Sequence, residues 1–112
     1  MKYCDFIDGI NSGIIKKASF SIEGYSHYRN CIVESTQGVI WFHLTPDGYE
    51  KKGFLHQIKE DAKLFHIRNK GSFSLRQLWD KVNIHFIEYE GGQCGSLNNR
   101  GDAEVLISRN DQ

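Results

Sequence analysis

Five histidines give the sequence its main capacity for proton transfer: His27, His43, His56, His66 and His85. An imidazole titrates near neutrality, so two that face one phosphate can serve as general base and general acid. His43, His66 and His85 each fall in a strand-like run. Were their strands neighbours, two would converge, and a lysine such as Lys63 or Lys81 would stabilise a phosphorane-like charge. That is the chemistry of a small metal-independent ribonuclease. None of the five stands in H-x-x-x-H or H-E-x-x-H, spacings that put two imidazoles on one helix face for zinc. No metal and no cofactor is expected.

The cysteines offer less. Cys4, Cys31 and Cys94 are odd in number, far apart and without a C-x-x-C pair, which reads as reduced thiols in a reducing compartment. Cys94 sits in Gly91-Gly92-Gln93-Cys94-Gly95. A phosphate cradle needs backbone N–H groups aimed at an anion before a helix start. No G-x-x-x-x-G-K-[ST] follows, so this stretch reads as a connecting loop. Arg100-Gly101-Asp102 matches an adhesion tripeptide by chance.

Recognition chemistry is better represented. Glu88-Tyr89-Glu90 places a large ring between two carboxylates at the end of a strand, where apolar area and charge could serve a partner together. Tyr25 and Tyr28, also in polar surroundings, are further candidate anchors. The sequence predicts a protein-binding surface at Glu88, Tyr89 and Glu90, with Tyr25 or Tyr28 as a second contact.

The elements that must position these groups centre on residues 72–90. Leu75, Leu78, Trp79 and Val82 recur at i, i+3, i+4 and i+7, and Ser74 with Gln77 forms a capping box, so a helix is expected there. After Asn83 the period becomes two, with Ile84, Phe86 and Glu88 on one face and His85, Ile87 and Tyr89 on the other. A first helix is expected over 2–11, ended by Ser12-Gly13, with Gly9 weakening it by about 1 kcal/mol relative to Ala. Strands follow from Ile14, over 25–35 and over 39–44, the last apolar at nearly every position and so expected to be covered on both faces. Thr45-Pro46-Asp47-Gly48 is a strong turn. Residues 53–61 read as a short helix and 63–68 as a strand. The glycines and asparagines of 90–101 predict a loop, and 103–109 a final edge strand. The class is α+β: one domain over 1–112, a twisted, mainly antiparallel sheet of about five to six strands with two or three helices on one face.

Formal net charge is zero, from 14 basic and 14 acidic side chains, which argues against general nucleic-acid binding. The start, MKYCDFIDG, lacks an apolar signal core, and the run Val39-Ile40-Trp41-Phe42 is too short to span a bilayer. A cytoplasmic protein is expected.

With strands such as VIWFHL and NIHFIEYE, scattered tyrosines and acids, and no catalytic spacing, the chain resembles the small cytosolic immunity proteins of bacterial toxin systems, including contact-dependent growth inhibition. The resemblance implies a non-enzymatic function: binding and neutralising a cognate protein toxin, often a nuclease. Nuclease-blocking immunity proteins are frequently acidic, and this neutral chain departs from that pattern.

Overall fold

The computed structural model describes residues 1–45, 49–58 and 62–91, and the backbone of two further strands at 94–97 and 103–106. Helix α1 (Tyr3–Ser12) forms where the apolar spacing predicts it. It buries Tyr3, Phe6, Ile7 and Ile10, and Gly13 ends it in the left-handed conformation, its N–H donating to the Ile10 carbonyl. Gly9 is required for packing rather than for the helix. A Cβ there would meet Ile15 Cγ1 at 2.9 Å, so the bare backbone lets α1 lie against the sheet.

The strands are β1 (Ile15–Ile22), β2 (Cys31–Thr36), β3 (Val39–His43), β4 (Lys51–Leu55), β5 (Phe65–Ile67), β6 (Gly71–Phe73), β7 (Val82–Tyr89), β8 (Cys94–Leu97) and β9 (Ala103–Leu106). Seven of them form one sheet in the order β4-β3-β2-β1-β7-β8-β9, and every pairing is antiparallel. β5 and β6 make a separate hairpin. The architecture is α+β, but among the described residues α1 is the only α-helix. No helix there is long and apolar enough to cross a membrane.

Several expected elements take other forms. Residues 75–81 are turns ending in a single 3-10 turn at Trp79–Lys81, and Val82 already opens β7. The capping box is real: Ser74 Oγ accepts from the Gln77 amide and Gln77 Oε1 accepts from the Ser74 amide. The helix stops there because Val82 already pairs with Ile22, and the Glu23 amide donates to the Lys81 carbonyl. Sheet pairing outweighs the helical spacing. The helix expected over 53–61 is replaced at its start by β4, while 59–61 lie outside the described residues. The strand expected over 25–35 begins as a 3-10 turn at Ser26–Tyr28. β3 alternates between buried and half-buried positions, so only one of its faces is covered. The glycine-rich stretch contains β8. Pro46, Asp47, Gly48 and the tripeptide at 100–102 lie outside the described residues.

One face of the sheet carries the core. Ala18, Phe20 and Ile22 of β1, Cys31 and Val33 of β2, Ile40 and Phe42 of β3, and Ile84 and Ile87 of β7 are buried. Against them pack α1, the β5–β6 hairpin, Leu75 and Leu78. Phe6 meets Phe20 edge-on, and Phe20 and Tyr28 both meet Phe65. Full burial of each such ring contributes about 1.5–3 kcal/mol.

Two bulges keep this face continuous. The β1–β7 register skips Lys16 on β1 and His85 on β7. Each extra residue shifts the alternation by one, so Ile15 joins Ala18, Phe20 and Ile22, and Ile87 and Tyr89 join Val82 and Ile84.

Candidate functional site

The second face of the sheet is covered by no element among the described residues. Register places its side chains in rows across the strands. One row runs Lys51, His43, Ile32, Ser19, Phe86, from β4 to β7. The next runs Gly53, Trp41, Glu34, Lys17, Glu88. Leu55, Val39 and Thr36 make a third, shorter one. Ile32, Val39, Trp41 and Phe86 are half-buried, whereas Leu55 is 73% exposed.

The polar groups here are held by neighbours. His43 Nε2 lies 3.0 Å from Glu34 Oε1, and Lys17 stands directly opposite both Glu34 and Glu88. Opposite charges across strands add a few tenths to about 1 kcal/mol each. Trp41 lies over Gly53, where a Cβ would come within 2.9 Å of the indole. Lys51 Nζ sits 5.5 Å from the same ring's centroid, a cation–π contact. An aromatic ring thus covers the bare backbone of the glycine on β4.

The residues predicted to bind a partner do not form one surface. Tyr28 is 1% exposed. Its hydroxyl accepts from the His66 amide at 2.8 Å and donates to the His66 carbonyl at 3.0 Å. It is a core residue, and burial pushes its phenol up despite the hydrogen bond from His66. Tyr89 falls on the core face opposite Ile15 and packs against the core, and burial raises its pKa too. The His85 bulge causes this, since strict alternation would have put Tyr89 on the other face. The same bulge parts Phe86 from Ile84, leaving Phe86 beside Glu88 on the uncovered face. Glu90 is exposed, its amide donating to the Ile14 carbonyl at 2.7 Å. Tyr25 packs partly on the core with Lys70 Nζ 5.9 Å from its ring. Tyr25 follows the Ile22 end of β1 and Tyr89 pairs at the Ile15 end, so β1 separates them along its length. Of the predicted set, Glu88 belongs to the uncovered face.

Nor do the three histidines converge. His43 on β3 and His85 on β7 are separated by β2 and β1, which at the usual strand spacing is roughly 14 Å. His85 Nε2 instead lies 2.9 Å from Ser21 Oγ. His66 belongs to the other sheet, with Nδ1 3.3 Å from Ser72 Oγ. Lys81 closes the 3-10 turn before β7, and Lys63 lines a cleft beside β4. No group of three or more His, Cys, Asp or Glu side chains is placed to hold a metal ion among the described residues.

Sequence reasoning missed Ile32, Trp41, Leu55 and Phe86 as surface groups. The alternation of β2 and β3 held the signal for Ile32 and Trp41; the bulge hid it for Phe86.

No protein-family model, no curated protein and no solved structure matches this chain.

Proposed function

We propose that the protein is a non-catalytic binding module that docks a protein partner on the uncovered face of its sheet, acting in the cytoplasm as an immunity protein that neutralises a cognate bacterial toxin. One observation carries the reading. The helix, the hairpin and the buried turns all lie on one side of the sheet, and the other side presents Ile32, Trp41, Leu55 and Phe86 among charges of both signs. An apolar centre with a charged surround is the composition of a docking surface. The row Glu34, Lys17, Glu88 suits a partner of mixed charge, in keeping with the neutral chain. The ribonuclease alternative needs two of His43, His66 and His85 to face one phosphate, whereas His43 and His85 lie on strands separated by β2 and β1 and His66 lies in the other sheet.

Co-expression with a toxin encoded by a neighbouring gene tests this. The native protein is expected to protect cells. A Phe86→Ser, Ile32→Ser double variant is expected to lose protection while remaining folded by circular dichroism. Full protection by the folded double variant would refute the docking face. RNA cleavage by the pure protein in EDTA, abolished by His43→Ala, His66→Ala or His85→Ala, would restore the enzyme reading.

A further inference from the structure

The uncovered face ends at β4, which among the described residues is an edge strand of the sheet. Two bonds fix which of its backbone groups are used: the Leu44 amide donates to the Glu50 carbonyl, and the His56 amide to the Gly38 carbonyl. Antiparallel pairs alternate between bonded and unbonded. With the β3–β4 register, Lys52 and Phe54 therefore turn their N–H and C=O groups to β3. Lys51 and Gly53 turn theirs outward. Leu55 points its N–H outward as well, while its carbonyl accepts from the Gln57 amide.

A cleft of about 780 Å³ lies along this edge, between β4 and residues 62–64. Lys51, Lys52 and Lys63 line it, as do Tyr49, 89% exposed, and Leu55, and its one carboxylate among the described residues, Glu50, lies 3.2 Å from His27 Nε2. Lysines on an edge strand oppose pairing with a like strand. Here two copies joined edge to edge would bring both sets of lysines together, whereas a negatively charged strand would meet complementary charge. Gly53 leaves no side chain beyond the Trp41 ring to obstruct the approach, and Tyr49 and Leu55 flank it with apolar surface.

We infer that β4 accepts an extended acidic segment of a protein partner, which adds to the sheet as a further antiparallel or parallel strand. Its backbone bonds to Lys51, Gly53 and the Leu55 amide, and its carboxylates meet Lys51, Lys52 and Lys63. Main-chain bonds supply affinity in this mode and the lysines supply selectivity. The inference deepens the docking reading above by naming the partner's chemistry at one border of the same face.

The test uses the isotopically labelled full chain and a short capped peptide of repeated Glu-Glu-Thr, which as a strand carries carboxylates on both faces, followed by NMR. Shifts and slowed hydrogen exchange are expected at the amides of Lys51, Gly53 and Leu55. A Lys52→Glu, Lys63→Glu double variant, at two lysines of the cleft that stand off the uncovered face, is expected to bind at least about tenfold more weakly. The same peptide N-methylated at every residue, which leaves neither edge able to donate to β4, is expected not to bind. Absence of binding to the native protein would overturn the inference. So would equal binding of the N-methylated peptide, which would mean charge attraction without strand addition, or a native mass of two chains joined through β4. The edge variant leaves Ile32 and Phe86 intact, so its outcome separates from the docking test. If it loses the peptide yet still protects against the toxin, strand addition by the toxin fails alone. If the face variant keeps protection while the peptide still binds at β4, the docking face fails alone.

Discussion

Replacing Tyr28 with Phe removes one oxygen, and the structure says what that oxygen holds. It bonds both the amide and the carbonyl of His66, at 2.8 and 3.0 Å. His66 sits in the middle of β5, whose partner β6 lies on the other side. The phenol therefore does for β5 what a neighbouring strand would do. A net hydrogen bond contributes about 1 kcal/mol, and a buried donor left without a partner costs about 1–3 kcal/mol. The ring keeps its edge-on contact with Phe65 at 5.1 Å, so no cavity is created. Tyr28→Phe is expected to lose about 2 kcal/mol, which for a domain of this size lowers Tm by roughly 8 °C. Urea unfolding followed by circular dichroism reads it, with an unchanged m-value showing that the unfolded state is unaltered. A loss under about 0.5 kcal/mol would refute the reasoning, since water would then be satisfying the His66 backbone equally well. Partner binding should be untouched, which separates a core tyrosine from an anchor.

Gly9→Ala should destabilise by about 1 kcal/mol in urea unfolding, because crowding against buried Ile15 outweighs the gain of about 1 kcal/mol in helix propensity; a more stable variant would show that α1 rides loosely on β1. Tyr89→Ala should lose about 2 kcal/mol of stability as its ring leaves the core; an unchanged Tm would put the ring back among the surface candidates. Stability should fall as pH climbs past the ordinary phenol value of 10.0, because Tyr28 and Tyr89 have raised pKa values and hold protons in the folded state that the unfolded chain has released. Thermal melts across alkaline pH check this, and a flat profile would contradict it. Burial pushes the Cys31 thiol up to about 12, so a thiol reagent at pH 8 should label exposed Cys4 promptly and Cys31 only on unfolding.

Much of the fold was legible where pattern and environment agree. The spacing of Tyr3, Phe6, Ile7 and Ile10 meets a single buried face, and Ala18, Phe20 and Ile22 alternate without interruption. Failures came where tertiary pairing decides. Leu75 and Leu78 are buried as the helical spacing requires, yet the chain has only a few residues between Ser74 and the start of β7, so they face the core from turns. Phe54, expected in the short helix over 53–61, is a member of β4 instead. Bulges left no signal: nothing in NIHFIEY marks His85 as the extra residue, and that one residue decides whether Tyr89 or Phe86 faces the core. The candidate site was legible only in part for the same reason, since a face shared by strands β4, β3, β2, β1 and β7 becomes visible only once their order is known.

That order also has a kinetic meaning. Strands β1 to β4 follow one another as a meander, and β7 to β9 form a second one, so most neighbours in the sheet are near neighbours in sequence. The seam between β1 and β7 is different, because Val82 lies more than half the chain away from Ile22. Closing so long a loop carries an entropic cost that must be met before the seam's contacts return anything. Two partly formed ribbons should therefore exist first, each with an open border along β1 or β7, and their meeting should limit the rate. Until then the borders that are hidden in the finished sheet are the ones exposed to other chains, which puts the risk of aggregation during synthesis at the middle of the sheet rather than at its lysine-bearing rim.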